Sequence, residues 1–161
     1  AEKDAQVRRF REEVDLLVAT ESGGEGLNLQ FCNTMINYDL PWNPMRIEQR
    51  IGRIHRIGQE RDVFVFNLAG EGTVEEYLLY LLDRKINMFE LVIGELEMIL
   101  GYLQDERDFP DIVMDLWVRS STPQELQENF SALGERLLGA RQEYLKTREY
   151  DERLFSRDFE V

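Results

Sequence analysis

Up to residue 72 the apolar positions come in short blocks, and beyond residue 73 they recur every three or four residues. The first pattern predicts strands alternating with helical segments, and the second predicts helices alone. Residues 4–12 read as the end of a charged helix, and Leu16-Leu17-Val18-Ala19 as a short buried strand that runs into a glycine-rich loop, Glu21 to Gly26. A second strand is expected over Thr34-Met35-Ile36-Asn37-Tyr38 and a third over Val63 to Leu68. Between them Asn43 is suited to cap a helix over 44–56, with Pro44 at its first position, where a missing N–H costs nothing. Three strands with helical segments between them imply an α/β arrangement around a parallel sheet.

At Thr73 the period changes, and Thr73 with Glu76 has the spacing of a capping box. Apolar residues then fall at Leu82, Ile86, Phe89, Ile93, Leu96, Leu100 and Leu103, a continuous stripe that predicts one long helix. Residues 105–108 break it, a short helix is expected over Pro110 to Val118, and Thr122 with Glu125 forms a second capping box. The helix that follows carries its own stripe, Leu126, Phe130, Leu133, Leu137, Ala140 and Tyr144. Two stripes of matching period are simplest to bury against each other, which predicts a helical hairpin. The chain thus divides into an α/β part, residues 1–72, and an all-helical extension, residues 73–161.

Composition adjusts this picture in three respects. With 43% apolar and 11% aromatic residues in 161, the chain can bury a core, as expected of a soluble globular protein. The single Cys32 excludes an internal disulfide, and with His55 as the one histidine no zinc site can be built from these residue types. The absence of a membrane-length apolar run, together with cysteine usage suited to a reducing compartment, leads to the expectation of a cytoplasmic protein with no membrane partner. The net charge of -13 argues against nucleic acid until its distribution is considered. Residues 1–70 carry 9 basic and 11 acidic side chains, and residues 71–161 carry 10 and 21, so the acid lies in the extension. Its glutamates are read as solvated helix faces, with partner binding by the last helix as a minor alternative. Residues 44–61 hold Arg46, Arg50, Arg53, Arg56 and Arg61 against Glu48 and Glu60, a local basic island.

On a continuous helix Gln49, Arg53 and Arg56 would share one face, and Ile47, Ile51 and Ile54 the opposite one. Planar guanidinium donors on a base packed against a sheet are suited to polyphosphate. In order along the chain stand Thr20 to Asn28, then Asp39 with Trp42-Asn43-Pro44, then Gln49 to Arg56 with Ile57-Gly58-Gln59. These three segments closely resemble motif V, the segment after it and motif VI in the second RecA-like lobe of superfamily 2 helicase-related ATPases, in particular the Swi/Snf-type DNA-translocase branch. The likeness covers about half the chain and fades beyond about residue 95.

The resemblance implies a partial RecA-like lobe of the P-loop NTPase type over residues 1–72. It implies that Arg53 and Arg56 are arginine fingers and that Gln49, Gly24 and Asp39 approach the nucleotide. Thr20, Gly23, Gly24, Asn28 and Trp42 would contact DNA, with the glycines letting main-chain N–H groups approach phosphate. Trp42 could instead be a packed aromatic, Arg50 could serve as a scaffold ion pair, and His55 reads as a packing or hydrogen-bonding residue. ATP and Mg²⁺ would be held mainly by a first lobe, since this chain has neither a G-x-x-x-x-G-K-[ST] loop nor an acidic magnesium motif. The expectation is a piece of a longer, bacterial, nucleoid-associated motor that acts on double-stranded DNA, inactive toward ATP by itself. Strands left uncovered would then favour self-association. The competing expectations are an RNA-helicase lobe and a non-catalytic helical interaction module.

Overall fold

The computed structural model describes residues 2–56, 58–88, 91 and 94–157. Two compact units emerge, one formed by Ala1–Leu40 with Arg46–Leu68, the other by Pro41–Met45 with Ala69–Val161.

In the first unit, helix α1 (Glu2–Glu12) and the short helix α2 (Glu21–Gly24) precede strand β1 (Thr34–Asn37), helix α3 (Pro44–Ile51) and strand β2 (Phe64–Asn67). α3 continues from the second unit, to which Pro44 and Met45 belong. β1 and β2 pair in parallel, with Ile36 opposite Phe66 and Asn37 opposite Asn67. The expected three-stranded sheet is therefore two-stranded among the described residues. Among the described residues Leu16 to Ala19 have no partner strand and form no ladder, and Leu16 and Val18 are exposed. A strand exists only where a neighbour takes its hydrogen bonds, and the apolar pattern alone does not supply one.

Alternation along the strands divides the sheet into two chemically different faces. Ile36, Phe64 and Phe66, followed by Tyr38 and Leu68, stay exposed, Ile36 at 58% and Phe66 at 54%. On the other face Asn37 is buried, and its Nδ2 donates to Asn67 Oδ1 at 2.7 Å, directly across the parallel register. Of the buried apolar side chains described, only Leu40, Ile47 and Ile54 belong to this unit. Much of its cohesion comes from hydrogen bonds. The Gln59 amide nitrogen lies 2.9 Å from the carbonyl oxygen of Gln30, 3.2 Å from that of Cys32 and 3.0 Å from that of Ile54. Asn33 Nδ2 donates to the Asp62 carbonyl, and Arg61 donates to that of Phe31.

The second unit holds helix α4 (Val74–Tyr80), a π-helical turn over Leu81–Lys85, and helices α5 (Glu95–Gly101), α6 (Phe109–Arg119) and α7 (Pro123–Arg157). The long helix expected from Thr73 to Leu103 is thus interrupted. Asn87 and Gly94 take φ of 49° and 97°, a left-handed backbone that no α-helix continues through, and apolar spacing carries no information about it. Phe89 and Ile93 of the expected stripe lie outside the described residues. The Thr73 capping box is also altered: the Thr73 hydroxyl donates to the Gly70 carbonyl, while Glu76 accepts from the N–H of Gly72. At α7 the Thr122 hydroxyl caps the N–H of Glu125 as expected.

α7 is the spine of this unit. All six residues of its stripe, Leu126, Phe130, Leu133, Leu137, Ala140 and Tyr144, are buried, as are Leu78, Leu81, Leu82, Ile86, Leu96 and Ile99 from the facing elements. Tyr77 lies 5.4 Å from Phe130 ring to ring, and Tyr144 donates to Glu95. The π turn passes close over Gly134, where an added Cβ would come within 2.9 Å of Leu81 Cδ2. The stripe therefore faces several short elements in succession rather than one long antiparallel helix. Outside it, Asp105 binds both Arg107 and Arg136, each at 2.9 Å, and so connects the loop before α6 to α7. Among the described residues no helix is long and apolar enough to cross a membrane.

Two outcomes follow from this packing. Leu137→Ala removes a fully buried side chain from the spine and should lower the unfolding free energy by about 2–5 kcal/mol in urea denaturation. The hydrogen bonds from Arg107 and then Arg136 hold the Asp105 carboxyl well below the usual carboxylate range. Its contribution is therefore fully present above the unfolded-state value of about 4 and is lost as the pH falls below that. Asp105→Asn should be less stable than the native chain at neutral pH, with the gap narrowing on acidification, as thermal melts across pH 7 to 2 would read.

Candidate nucleotide and nucleic-acid site

The basic island is built around α3. Asn43 Oδ1 accepts from the N–H of Met45 at 3.0 Å and Pro44 occupies the first helical position, so the helix starts as its sequence dictates. It stops earlier than expected. The helix over 44–56 ends at Ile51, and the backbone tightens into i to i+3 bonds, Arg53 N–H to the Arg50 carbonyl and Ile54 N–H to that of Ile51. Gly52 stands where the change begins. Arg53 and Arg56 therefore lie on the irregular continuation of α3, and the spacing that would align them with Gln49 on a regular helix does not hold. Ile47 and Ile54 are both buried, so the apolar side of the segment is kept although its helical geometry is not. The Arg53 carbonyl accepts from Leu29 N–H at 3.0 Å, which ties the arginine segment to the end of the glycine-rich region. Gly58 follows with φ of 98°, and Gln59 then anchors the turn through its three carbonyl contacts. Ile57 lies outside the described residues.

The arginines separate by partner. Arg46 pairs with Glu21 at 2.7 Å. Arg50, its side chain 19% exposed, donates to the Asp39 carbonyl at 2.8 Å, to Asn37 Oδ1 at 3.3 Å and to Asp39 Oδ1 at 3.4 Å. Of the two roles left open for Arg50, the scaffold role is the one this geometry displays. Asp39, expected near the nucleotide, is engaged with Arg50, though its carboxylate stays largely exposed. Arg61 is bound to the Phe31 carbonyl. Among the described residues neither Arg53, half-buried, nor Arg56, exposed, has an ion-pair or side-chain hydrogen-bond partner. Gln49 and His55 are exposed as well.

The glycine-rich region is more ordered than its composition suggests. Residues 21–24 form α2, with the Thr20 hydroxyl accepting from the N–H of Gly23 at 3.2 Å. Gly24 N–H donates to the Thr20 carbonyl at 2.8 Å. The main-chain donors of Gly23 and Gly24, expected to be open to phosphate, are thus used within the turn, because one helical turn satisfies them locally. Thr20 and Asn28 remain exposed, with Asn28 Oδ1 accepting from the N–H of Gln30. Glu21 is turned into its pair with Arg46, and Lys3 Nζ donates to the Ser22 carbonyl at 2.8 Å.

Trp42 belongs to the helical unit. Its Nε1 donates to Glu75 Oε1 at 2.9 Å and its ring meets Trp117 edge-on, centroids 5.9 Å apart. The indole thus has both a hydrogen-bond partner and an aromatic neighbour. Glu75 carries opposing influences: burial pushes its carboxyl up, but the hydrogen bonds from Trp42, its own backbone and Thr73 outweigh this and hold it below the usual range. Among the described residues no group of three or more His, Cys, Asp or Glu side chains converges as a metal-ligand set.

Gln59, Asn67, Glu75 and Trp117 were not assigned roles by the sequence. Gln59 adjoins the arginines and carried a signal of position, whereas the others acquire their roles only through partners 30 to 75 residues away.

Residues 1–58 match the family described as Helicase conserved C-terminal domain. Over 125 residues the chain is 56% identical to the uncharacterized ATP-dependent helicase YqhH of Bacillus subtilis (strain 168), covering 78% of this chain and 22% of that protein. Over 101 residues it is 36% identical to the CHD3-type chromatin-remodeling factor PICKLE of Arabidopsis thaliana, covering 60% and 7%. With the RNA polymerase-associated protein RapA of Vibrio vulnificus (strain YJ016) it shares 40% identity over 91 residues, covering 55% and 9%. The chain therefore spans less than a quarter of the length of these curated relatives.

The division of the arginines is open to test by stability. Arg50→Ala strips Asn37 and Asp39 of a charged donor and should cost about 1.5–3 kcal/mol. Arg53→Ala and Arg56→Ala, which break no pair, should each stay within about 0.5 kcal/mol of the native chain. Chemical denaturation of the three variants side by side gives the comparison.

Proposed function

We propose, for a chain that belongs to the Swi/Snf-type branch of the superfamily 2 helicase-related ATPases, that it supplies the DNA-contacting region and the arginine fingers of an ATP-driven DNA translocase or remodeller. The observation that carries this reading is the selective pairing of the basic island. Arg46, Arg50 and Arg61 are engaged by the protein itself, while the side chains of Arg53 and Arg56 have no partner among the described residues. A guanidinium meant only for stability gains by pairing, and one meant for phosphate must be kept free of competing carboxylates.

In this reading ATP and Mg²⁺ are held mainly by a preceding RecA-like lobe, and their phosphates receive Arg53 and Arg56. The planar donors neutralise charge that grows on the γ-phosphoryl oxygens, a contribution worth roughly 10³ to 10⁵ in rate. Gln49, exposed on α3, orients the nucleotide or the attacking water. Asp39 acts in the same neighbourhood through its hold on Arg50. Thr20 and Asn28 present side-chain hydrogen-bonding groups to the DNA backbone. Gly23 and Gly24 shape the turn that displays them, with their N–H groups retained inside it. Double-stranded DNA in the cytoplasm, nucleoid-associated, is the proposed partner. The exposed face of Ile36, Phe64 and Phe66 supports self-association of this segment when it is produced alone.

The decisive measurement uses the complete gene product. Arg56→Ala should reduce DNA-stimulated ATP hydrolysis by about 10³-fold or more, with its thermal melt unchanged. Hydrolysis at the native rate in that variant overturns the finger assignment.

A further inference from the structure

Arg53 and Arg56 lie on the irregular stretch beyond the end of α3. Neither side chain has a partner among the described residues, so each takes its direction from the backbone that carries it. That backbone is held at the carbonyls of Arg53, Ile54 and Arg56. The Arg53 carbonyl accepts from Leu29 N–H at 3.0 Å, and the Arg56 carbonyl accepts from Gln59 N–H at 2.9 Å. Between them the Ile54 carbonyl lies 3.0 Å from the Gln59 amide nitrogen, with the Ile54 side chain buried. Gln59 therefore grips the stretch twice, once through its backbone and once through its side chain. Every group in this arrangement belongs to the sheet-bearing unit.

The surroundings of the Gln59 amide define its orientation. Its nitrogen also lies 2.9 Å from the Gln30 carbonyl and 3.2 Å from that of Cys32, while its oxygen accepts from Arg61 N–H at 3.2 Å. Carbonyl oxygens at one end and an N–H at the other fix which end of the amide is nitrogen. A primary amide meets both needs without carrying charge. The turn to which Gln30 and Cys32 belong is closed by its own bond, from Cys32 N–H to the Leu29 carbonyl at 2.8 Å. One side chain thus joins the stretch bearing the arginines to a turn that is already fixed.

We infer that Gln59 is a positioning residue for Arg53 and Arg56: its amide ties the Ile54 carbonyl to the turn over residues 29–32 and so fixes the backbone from which both guanidiniums project. The inference rests on the reading of those two arginines as groups that face phosphate. Without the donor, carbonyl oxygens of two separate segments face one another with nothing between them to hold them together. The bond from Leu29 and the buried Ile54 side chain still retain the stretch, so what is lost is placement rather than the fold. A misplacement of about 1 Å in a group that must meet a transition state costs on the order of 10²-fold in rate.

The test uses the complete gene product, with ATP hydrolysis measured at saturating DNA. Gln59→Met, which keeps the length of the side chain and removes its donor, should lower kcat by about 10- to 100-fold and leave KM for ATP within about twofold. Gln59→Glu keeps an oxygen to accept from Arg61 but sets a carboxylate against the carbonyls, and should lower kcat at least as far. Added to the Arg53→Ala, Arg56→Ala double variant, Gln59→Met should change the residual turnover by less than about twofold, because the groups it places are gone. Apart from activity, hydrogen exchange over residues 53–56 should quicken in Gln59→Met. If Gln59→Met fails to fold, as circular dichroism would show, Gln59→Asn, with the same amide one methylene shorter, decides the matter by the same readings. Native kcat in a folded Gln59 variant, a change confined to KM, a full further loss in the double-arginine background, or unchanged exchange over 53–56 each overturns the inference. An Arg56→Ala enzyme that turns over normally sinks the finger reading whatever the Gln59 variants do. An inactive Arg56→Ala enzyme beside Gln59 variants at native kcat removes the positioning role alone.

Discussion

Arg50 makes the bond on which the order of the sheet-bearing unit depends. Its guanidinium reaches Asn37 Oδ1 and the Asp39 carbonyl, while Asn37 donates across the sheet to Asn67. One chain of polar contacts thus ties the arginine helix to β1 and β1 to β2. In a unit with few buried apolar side chains, such a chain takes over part of what a core would otherwise do. Buried polar groups are costly unless satisfied, and a network that satisfies them all also specifies one arrangement. Gln59 repeats the principle on the other side of the arginines, with a single amide set among three carbonyls.

The helical unit is stabilised by different physics. α7 offers a continuous apolar stripe, and the elements facing it are short and of several kinds, including a π turn seated over Gly134. A stripe of constant period does not require a partner of equal length, since it requires only apolar surface at each turn. The acidic residues outside the stripe enter local pairs, as Glu135 does with Lys85 and Asp105 with Arg107 and Arg136.

The elements legible in the sequence were those decided within a turn or two of the chain. Asn43 and Pro44 announced the start of α3, Thr122 and Glu125 the start of α7, and the stripe from Leu126 to Tyr144 its buried face. Features that depend on a distant partner or on an unusual backbone were not legible. Leu16 to Ala19 have strand composition and no strand beside them among the described residues. The helix after Thr73 is divided by left-handed residues that the apolar spacing passes over. Gly23 and Gly24 look like an open loop and instead form a turn that uses its own N–H groups.

By itself the sequence determined which residue types are gathered around α3, where its start and the α7 stripe fall, and that the chain changes from mixed to helical near residue 73. Each follows from local propensity, capping or period, which act between neighbours. Tertiary structure decided which arginines are occupied and which have no partner among the described residues, because pairing depends on whether a carboxylate or carbonyl from another element lies within about 3 Å. It also decided that Trp42 is held by Glu75 and Trp117, 33 and 75 positions further along the chain. No pattern of spacing encodes such a contact, since it exists only once the helices have packed.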